Sequence, residues 1–216
     1  MSIWEKTIFK GHSSYSGDVK VTENSGVRRL VAGGHTQSQT IKSNGRTGQG
    51  CWDDMVPEDL SLSADSRVLI LGLGGGTSAK ILSKKFGPLV IDGVDIDPLI
   101  VDIGRKYFYV NEPNLNVHIA DAKEFVKGVR FKYDLICLDV FIAGKIPEDI
   151  ERKEFLSDIK NILAPGGVLS INKIFSGKEE QNNFEDLVRS VFPVVASHVV
   201  RGDPRLDNVI VYARDL

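Results

Sequence analysis

Residues 67–79, RVLILGLGGGTSA, constrain the fold more than any other stretch of this 216-residue chain. Val68, Leu69, Ile70 and Leu71 form a short apolar run that meets Gly72, Gly74, Gly75 and Gly76 and leaves into a helix-permissive segment starting at Thr77. A buried strand, a glycine turn and a helix make the first unit of a nucleotide-binding α/β domain. Glycine lets the backbone approach a ligand where a Cβ would intrude, so the ligand is expected to pack against main chain. One helix later, LVIDGVD (89–95) reads as a second strand ending in Asp95, roughly 20 residues after the glycines, the spacing at which a strand-end acid accepts both ribose hydroxyls. A structural turn with a solvated acid is the plainer alternative. No G-x-x-x-x-G-K-[ST] pattern is present, which argues against a P-loop.

From residue 66 strand and helix patterns alternate, implying a mostly parallel sheet covered on both faces. Strands are expected at 67–73, 89–95, 116–120, 133–139, 167–172, 194–200 and 208–213. The helices are expected at 77–86, 98–109, 122–129, 147–163 and 178–192, with Pro165-Gly166-Gly167 as a stop after the fourth. The last two strands have no helix between them and are expected to form an antiparallel edge hairpin. Seven strands with that ending suggest an S-adenosylmethionine-dependent transferase fold over a dinucleotide dehydrogenase. Residues 1–50 differ: short strand candidates at 7–9, 19–22 and 28–32 stand between Gly, Ser and Asn clusters and read as a small β-hairpin region ahead of a domain at 51–216. Gln37, Gln39, Trp52, Asp53 and Asp54 are placed on the connection, either one wall of an active site or a solvated linker.

In such a sheet ligands collect beyond the carboxyl ends of the strands, here Gly72–Gly76, Asp95, Asp121, Asp139 and Asn172. Asp121 and Ala122 could contact an adenine amino group and ring nitrogen, or Asp121 could cap the next helix. Asp139 ends the fourth strand over the reactive end of the ligand, where an acid can bind an ammonium or take a proton from an amine; the alternative is again a helix cap. The four histidines lack metal-ligand spacing, and no hydrolase triad pattern is evident. Cys51 and Cys137 are too few for a disulfide framework and are read as reduced. A formal net charge of -2 gives no global reason to expect nucleic acid or an anionic membrane, and no apolar run approaches the roughly 20 residues of a spanning helix. Residues 1–11 have no signal-peptide hydrophobic region, so a cytoplasmic protein is expected.

The order of SSYSGDVKV, RRLVAGGHTQS, CWDDM, VLILGLGGGTSA, VDIDP, ADAKEF, YDLICLDVF and FPVVA resembles the spermidine synthase family of aminopropyltransferases over nearly the whole chain. The resemblance implies a small N-terminal β domain before a seven-stranded, Rossmann-like transferase domain, and a homodimer. It also implies roles: Gln37 as the glutamine of D-G-x-x-Q, Asp95 for the ribose, Asp121 on the adenine side, and Asp139 as the catalytic acid that activates the attacking amine. Gly72, Gly74, Gly75, Gly76, Thr77, Ile96 and Ala122 complete the expected nucleoside site, and Trp52, Asp53, Asp54 and Phe141 the acceptor site, with no metal.

Five positions depart from the family pattern. Thr77 replaces the aspartate of GGGDGG, which holds the aminopropyl ammonium of decarboxylated S-adenosylmethionine in that family and would oppose the carboxylate of ordinary S-adenosylmethionine. Two charges about 4 Å apart interact by roughly 1 to 4 kcal/mol between water and a protein surface. Ile142 replaces the last acid of D-[ST]-x-D, Trp52 and Asp54 stand for the Tyr and Glu of Y-x-E-M, and Gly33 for the Asp of D-G-x-x-Q. Methyl transfer from S-adenosylmethionine to a small-molecule acceptor is therefore placed first. Aminopropyl transfer from the decarboxylated donor to putrescine or another amine comes second, and a non-catalytic nucleoside-binding scaffold third.

Overall fold

The structure is a computed structural model that describes residues 5–141, 146–203 and 206–215. Its N-terminal part is an antiparallel sheet, β1 (Lys6–Ser13), β2 (Gly17–Asn24), β3 (Val27–Ala32) and β4 (His35–Gln39), in that order. The β region expected from the sequence is thus one strand larger. Ala32 and His35 are cross-strand partners, and Gly33 and Gly34 between them both have positive φ, 57° and 83°, the pattern of a two-residue hairpin turn. Gln37 and Gln39 consequently lie on a strand and not on a connecting loop.

After a short helix, α1 (Gly50–Asp53), the chain alternates as expected: β5 (Arg67–Leu71), α2 (Thr77–Phe86), β6 (Val90–Asp95), α3 (Pro98–Phe108), β7 (Leu115–Ile119), α4 (Ala122–Gly128) and β8 (Tyr133–Leu138). Then follow α5 (Lys153–Ile162), β9 (Leu163–Ile174), α6 (Lys178–Arg189), β10 (Val194–Asp203) and β11 (Leu206–Arg214). These seven strands form one sheet in the order β10-β11-β9-β8-β5-β6-β7, parallel from β9 to β7, with β11 antiparallel to both β9 and β10. The expected seven-stranded α/β sheet with a terminal antiparallel hairpin is the observed one.

Two local expectations are corrected. A 3-10 turn at Glu148–Glu151 and an extended Arg152 precede α5, so the expected single helix from Pro147 is broken. The 3-10 turn aims Asp149 at Lys123, 2.5 Å away, and Glu151 at Lys173, tying this segment to α4 and β9. The Pro165-Gly166-Gly167 segment is not a post-helix stop. Strand β9 begins at Leu163, directly after α5, and the register against β8 shifts between Tyr133 and Leu135. A Cβ on Gly167 would come within 3.0 Å of the Tyr133 carbonyl, so glycine lets the irregular strand pass its neighbour.

Side-chain alternation sorts the sheet into two apolar layers. Leu69, Leu71, Ile136, Leu138, Leu169 and Ile171 face α5 and α6, whose Phe155, Leu156, Ile159, Phe184 and Val188 complete that layer. Val68, Ile70, Leu135, Cys137 and Val168 face the other way, into a layer shared with α2 and α3 and with Val19, Val21, Leu30 and Ala32 of the small sheet. The two sheets therefore share one continuous core. Each fully buried Leu, Ile or Val contributes about 1.5–3 kcal/mol, so this shared layer fixes the small sheet over the carboxyl ends of the strands.

Strand β5 ends at Leu71 because Gly72 turns out of the strand with φ 89°. A Cβ at Gly72 would lie 2.1 Å from the Asp139 carbonyl oxygen, a backbone atom held by the Asp139 N–H to Leu71 carbonyl hydrogen bond of 2.8 Å. Gly72→Ala is expected to cost at least about 3 kcal/mol, from backbone strain plus an unrelievable clash. Urea unfolding followed by circular dichroism measures it, and a loss below about 1 kcal/mol would contradict the tight contact.

Candidate functional site

The sheet order places β5 between β6 and β8, so the chain reverses direction across the sheet at β5, the position beyond which open α/β sheets bind ligands. Leu71 is the register partner of both Val94 and Leu138, and Leu138 of Ile171. The next residues, Asp95, Gly72, Asp139 and Asn172, therefore form one row at the carboxyl edge. By the same alternation Asp139 and Asn172 point to the face that carries the small sheet.

Two connected cavities open there. The first is a cleft of about 940 Å³ counted together with the open solvent at its mouth. Among the residues expected at the site it brings together Gln37, Gly72, Gly74, Asp95, Ile96, Asp121, Ala122, Asp139 and Phe141; Ser16, Ile100, Lys123 and Ile150 line it too. The second, a half-open chamber of about 810 Å³ counted together with the solvent at its mouth, shares Gln37, Asp139 and Phe141 with the cleft and adds Arg29, His35, Gln39, Trp52, Asn172 and Asn208.

Asp95 is held by its own loop. The Gly74 N–H donates to Oδ2 at 2.8 Å and the Asp97 N–H to Oδ1 at 3.0 Å. Burial nevertheless outweighs these two amides and raises its pKa. Asp97 in turn accepts from the Ser13 and Ser16 hydroxyls at 2.5 and 2.6 Å, which pins the β1–β2 turn to the start of α3. Asp121 caps α4 through Oδ1, which accepts from the Lys123 and Glu124 N–H groups at 2.8 and 3.3 Å, and it lines the cleft as well. The two roles weighed for Asp121 are therefore compatible.

Asp139 is strongly perturbed. Burial pushes it up to about 6 from an ordinary 3.8, against the lowering effect of hydrogen bonds from the Asn172 and Trp52 side chains. The Asn172 amide donates to Oδ1 at 2.8 Å, and the Asn208 amide donates to Asn172 Oδ1 at 3.1 Å, a relay reaching from β11 through β9. Neutral donors fix the carboxylate's orientation without neutralising it. Beside it, burial and the nearby acids push the Cys51 thiol up to about 12, so it stays protonated.

Several expected residues do not reach either cavity. Thr77 is buried, and its hydroxyl is spent on β4: it accepts from the Gln39 N–H at 2.9 Å and donates to the Gln39 carbonyl at 3.0 Å. Gly75 donates to the Ser38 hydroxyl at 2.6 Å, and Gly76 is the left-handed cap of α2; neither lines the cleft. Asp53 is turned inward and organises its own loop, accepting from Thr47 N–H and hydroxyl and from Gly48 N–H at 2.8–3.0 Å. Asp54 faces a separate surface depression, with Arg46 and His198 at 3.3 and 3.4 Å. Neither acid is placed to meet an acceptor. The Ile142 position lies outside the described residues. Arg29, His35 and Asn208 were not singled out from the sequence, and Asn172 only as a strand end; strand alternation could have marked Arg29, but its partner Gln39 becomes visible only with the register.

Fold and cleft define the class first: an α/β protein of the Rossmann-like transferase type. The chain belongs to the spermine/spermidine synthase family, since residues 59–211 match the model described as the Spermine/spermidine synthase domain. It is 38% identical over 130 residues to a polyamine aminopropyltransferase of Vibrio vulnificus, covering 58% of this chain and 43% of that protein. It is also 26% identical over 158 residues to the human eEF1A lysine and N-terminal methyltransferase, covering 67% of this chain and 23% of that protein. The chain spans less than half the length of the first two curated relatives it matches, 43% and 35%. Among solved structures, a probable spermidine synthase from Corynebacterium glutamicum superposes with a TM-score of 0.80 at 19% identity, over 100% of this chain and 81% of that one. Human methyltransferase-like protein 13 in complex with SAH gives 0.63 at 24% identity, over 70% and 72%. These two likenesses concern the fold.

The raised Asp139 pKa has a consequence for stability. An acid whose folded pKa lies above its unfolded one binds its proton more tightly when folded, so stability falls as pH rises from about 3.8 to about 6 and stays lower above that. The cost at pH 8 is about 3 kcal/mol at most, and falls to about 0.5 kcal/mol at pH 4. Asp139→Asn is expected to stabilise the chain at pH 8 and far less at pH 4, measured by urea unfolding at both values. Equal effects at both would show that the carboxylate is not strained by burial.

Proposed function

We propose that the chain is an S-adenosylmethionine-dependent transferase that moves a methyl group to a small-molecule acceptor. The observation that carries this reading is the head of α2. Thr77 stands where the family pattern has an aspartate, its hydroxyl is committed to Gln39, the helix has no side-chain cap and its first turn has no acid. The acid that in the family pattern would oppose the carboxylate of the intact donor is thus missing from this turn.

The cleft chemistry fits a nucleoside laid across the strand ends in sheet order. Asp121 and Ala122 after β7 would take the base, Asp95 after β6 the ribose diol, and Gly72, Gly74 and Asp139, after β5 and β8, the charged end. Ile96, Ile100 and Ile150 supply apolar cover. Bound there, S-adenosylmethionine supplies a sulfonium-activated carbon, transferred while its bonding pair stays on sulfur. Asp139 orients the acceptor and takes the proton its nucleophile loses; with a pKa of about 6 it is ionised at neutral pH yet more basic than an exposed aspartate.

A second reading, aminopropyl transfer, is favoured by the relatives: those at 38% and 34% identity are named as a polyamine aminopropyltransferase and a probable polyamine aminopropyl transferase. Calorimetric titration with each donor separates the two. S-adenosylmethionine is expected to bind roughly tenfold or more tightly than the decarboxylated form, a difference of about 1.4 kcal/mol. Preference for the decarboxylated form would replace methyl by aminopropyl transfer, and binding of neither by folded protein would support a scaffold.

A further inference from the structure

The cleft and the chamber differ in charge. The cleft is lined by three carboxylates, Asp95, Asp121 and Asp139, and by Lys123, whose ammonium is 2.5 Å from Asp149. The chamber has a single carboxylate among its described lining residues, Asp139, which the cleft also uses, and a single arginine, Arg29.

Arg29 is set up to bind an anion. Its Nε donates to Gln39 Oε1 at 3.1 Å, and Gln39 Nε2 donates to the Thr47 carbonyl at 3.1 Å, so the guanidinium plane is fixed from one edge. The nearest carboxylate among the described residues is Glu5, 3.8 Å from Nη1, beyond hydrogen-bond distance and half exposed. The side chain of Arg29 is itself about one-third exposed, on the chamber side. A guanidinium with one edge fixed, whose terminal nitrogens have only a loose, half-exposed ion pair with Glu5, can present its fork to a carboxylate in bidentate fashion. His35 at the rim adds a further donor or acceptor.

Resting on the transferase reading above, we infer that the chamber takes an acceptor bearing an anionic group, a carboxylate in the first instance, and that Arg29 binds that group while the nucleophile faces Asp139. A diamine fits poorly. One ammonium could meet Asp139, but the other would lie in a chamber whose remaining charge is positive, a repulsive arrangement that selects against it. An amino acid with its amine and carboxylate separated by a short chain places each charge against its opposite.

The test uses two probes of equal chain length, 4-aminobutyrate and 1,4-diaminobutane, titrated by protein-observed NMR into the chain saturated with S-adenosylhomocysteine. The amino acid is expected to bind roughly tenfold or more tightly than the diamine. In Arg29→Gln that preference is expected to disappear while affinity for S-adenosylhomocysteine stays unchanged, which also reports that the variant is folded. Equal or tighter diamine binding, binding of neither probe, or a preference that survives in Arg29→Gln would each overturn the inference. The nucleoside titration is run first and alone, so a failure of donor binding is distinguishable from a failure of acceptor recognition.

Discussion

The contact between Gly72 and the Asp139 backbone is the constraint on which the carboxyl edge depends. Strands β5 and β8 run parallel up to this point and then leave the sheet against each other, with no room for a side chain between them. Because β5 also neighbours β6, closing that gap puts Asp95 and Asp139 on either side of one glycine. Had the two exits diverged, the acids would lie at separate depths and no single ligand could span them. The electrostatics follow from the same closure, for it buries Asp139 and leaves it with amide and indole donors where a cation would otherwise neutralise it.

The residues around this edge divide into a scaffold held by backbone hydrogen bonds and a wall of side chains beside it. Gly72, Gly74, Asp95 and the Asp121 cap belong to the first. The second is the wall formed by β3 and β4 together with Trp52, Asn172 and Asn208. Family membership describes the scaffold well. Beside that wall, Asp53 and Asp54 are both turned to other partners.

Most of the fold was legible because the relevant signals are local. The apolar run into glycines, the strand-end acids and the alternation after residue 66 each occupy a few neighbouring residues, and α2 spans the expected 77–86 without change. The missing fourth strand had a signal too, the Gly33-Gly34 pair, but HTQSQ has no apolar alternation and reads as loop until β3 supplies its partner. The broken helix at 147–152 could not be read from propensity, because salt bridges to Lys123 and Lys173 from distant elements decide its conformation. The same limit applied to the site. Asp95, Asp121 and Asp139 follow strand ends, which is enough to place them along the cleft; the inward turn of Asp53, the capture of Thr77 by Gln39 and the exposure of Arg29 to the chamber are matters of tertiary register.

The position of β11 has a bearing on synthesis. It follows β10 in the chain but lies inside it in the sheet, between β10 and β9. As the chain leaves the ribosome, β10 has no place to pair until β11 has emerged and slotted between the two, so this side of the sheet is completed in the reverse of chain order. Asn208 arrives with that strand and supplies the outer link of the amide relay to Asp139. A nascent chain that had already formed its glycine turn would still lack the relay that orients the Asp139 carboxylate until β11 docks.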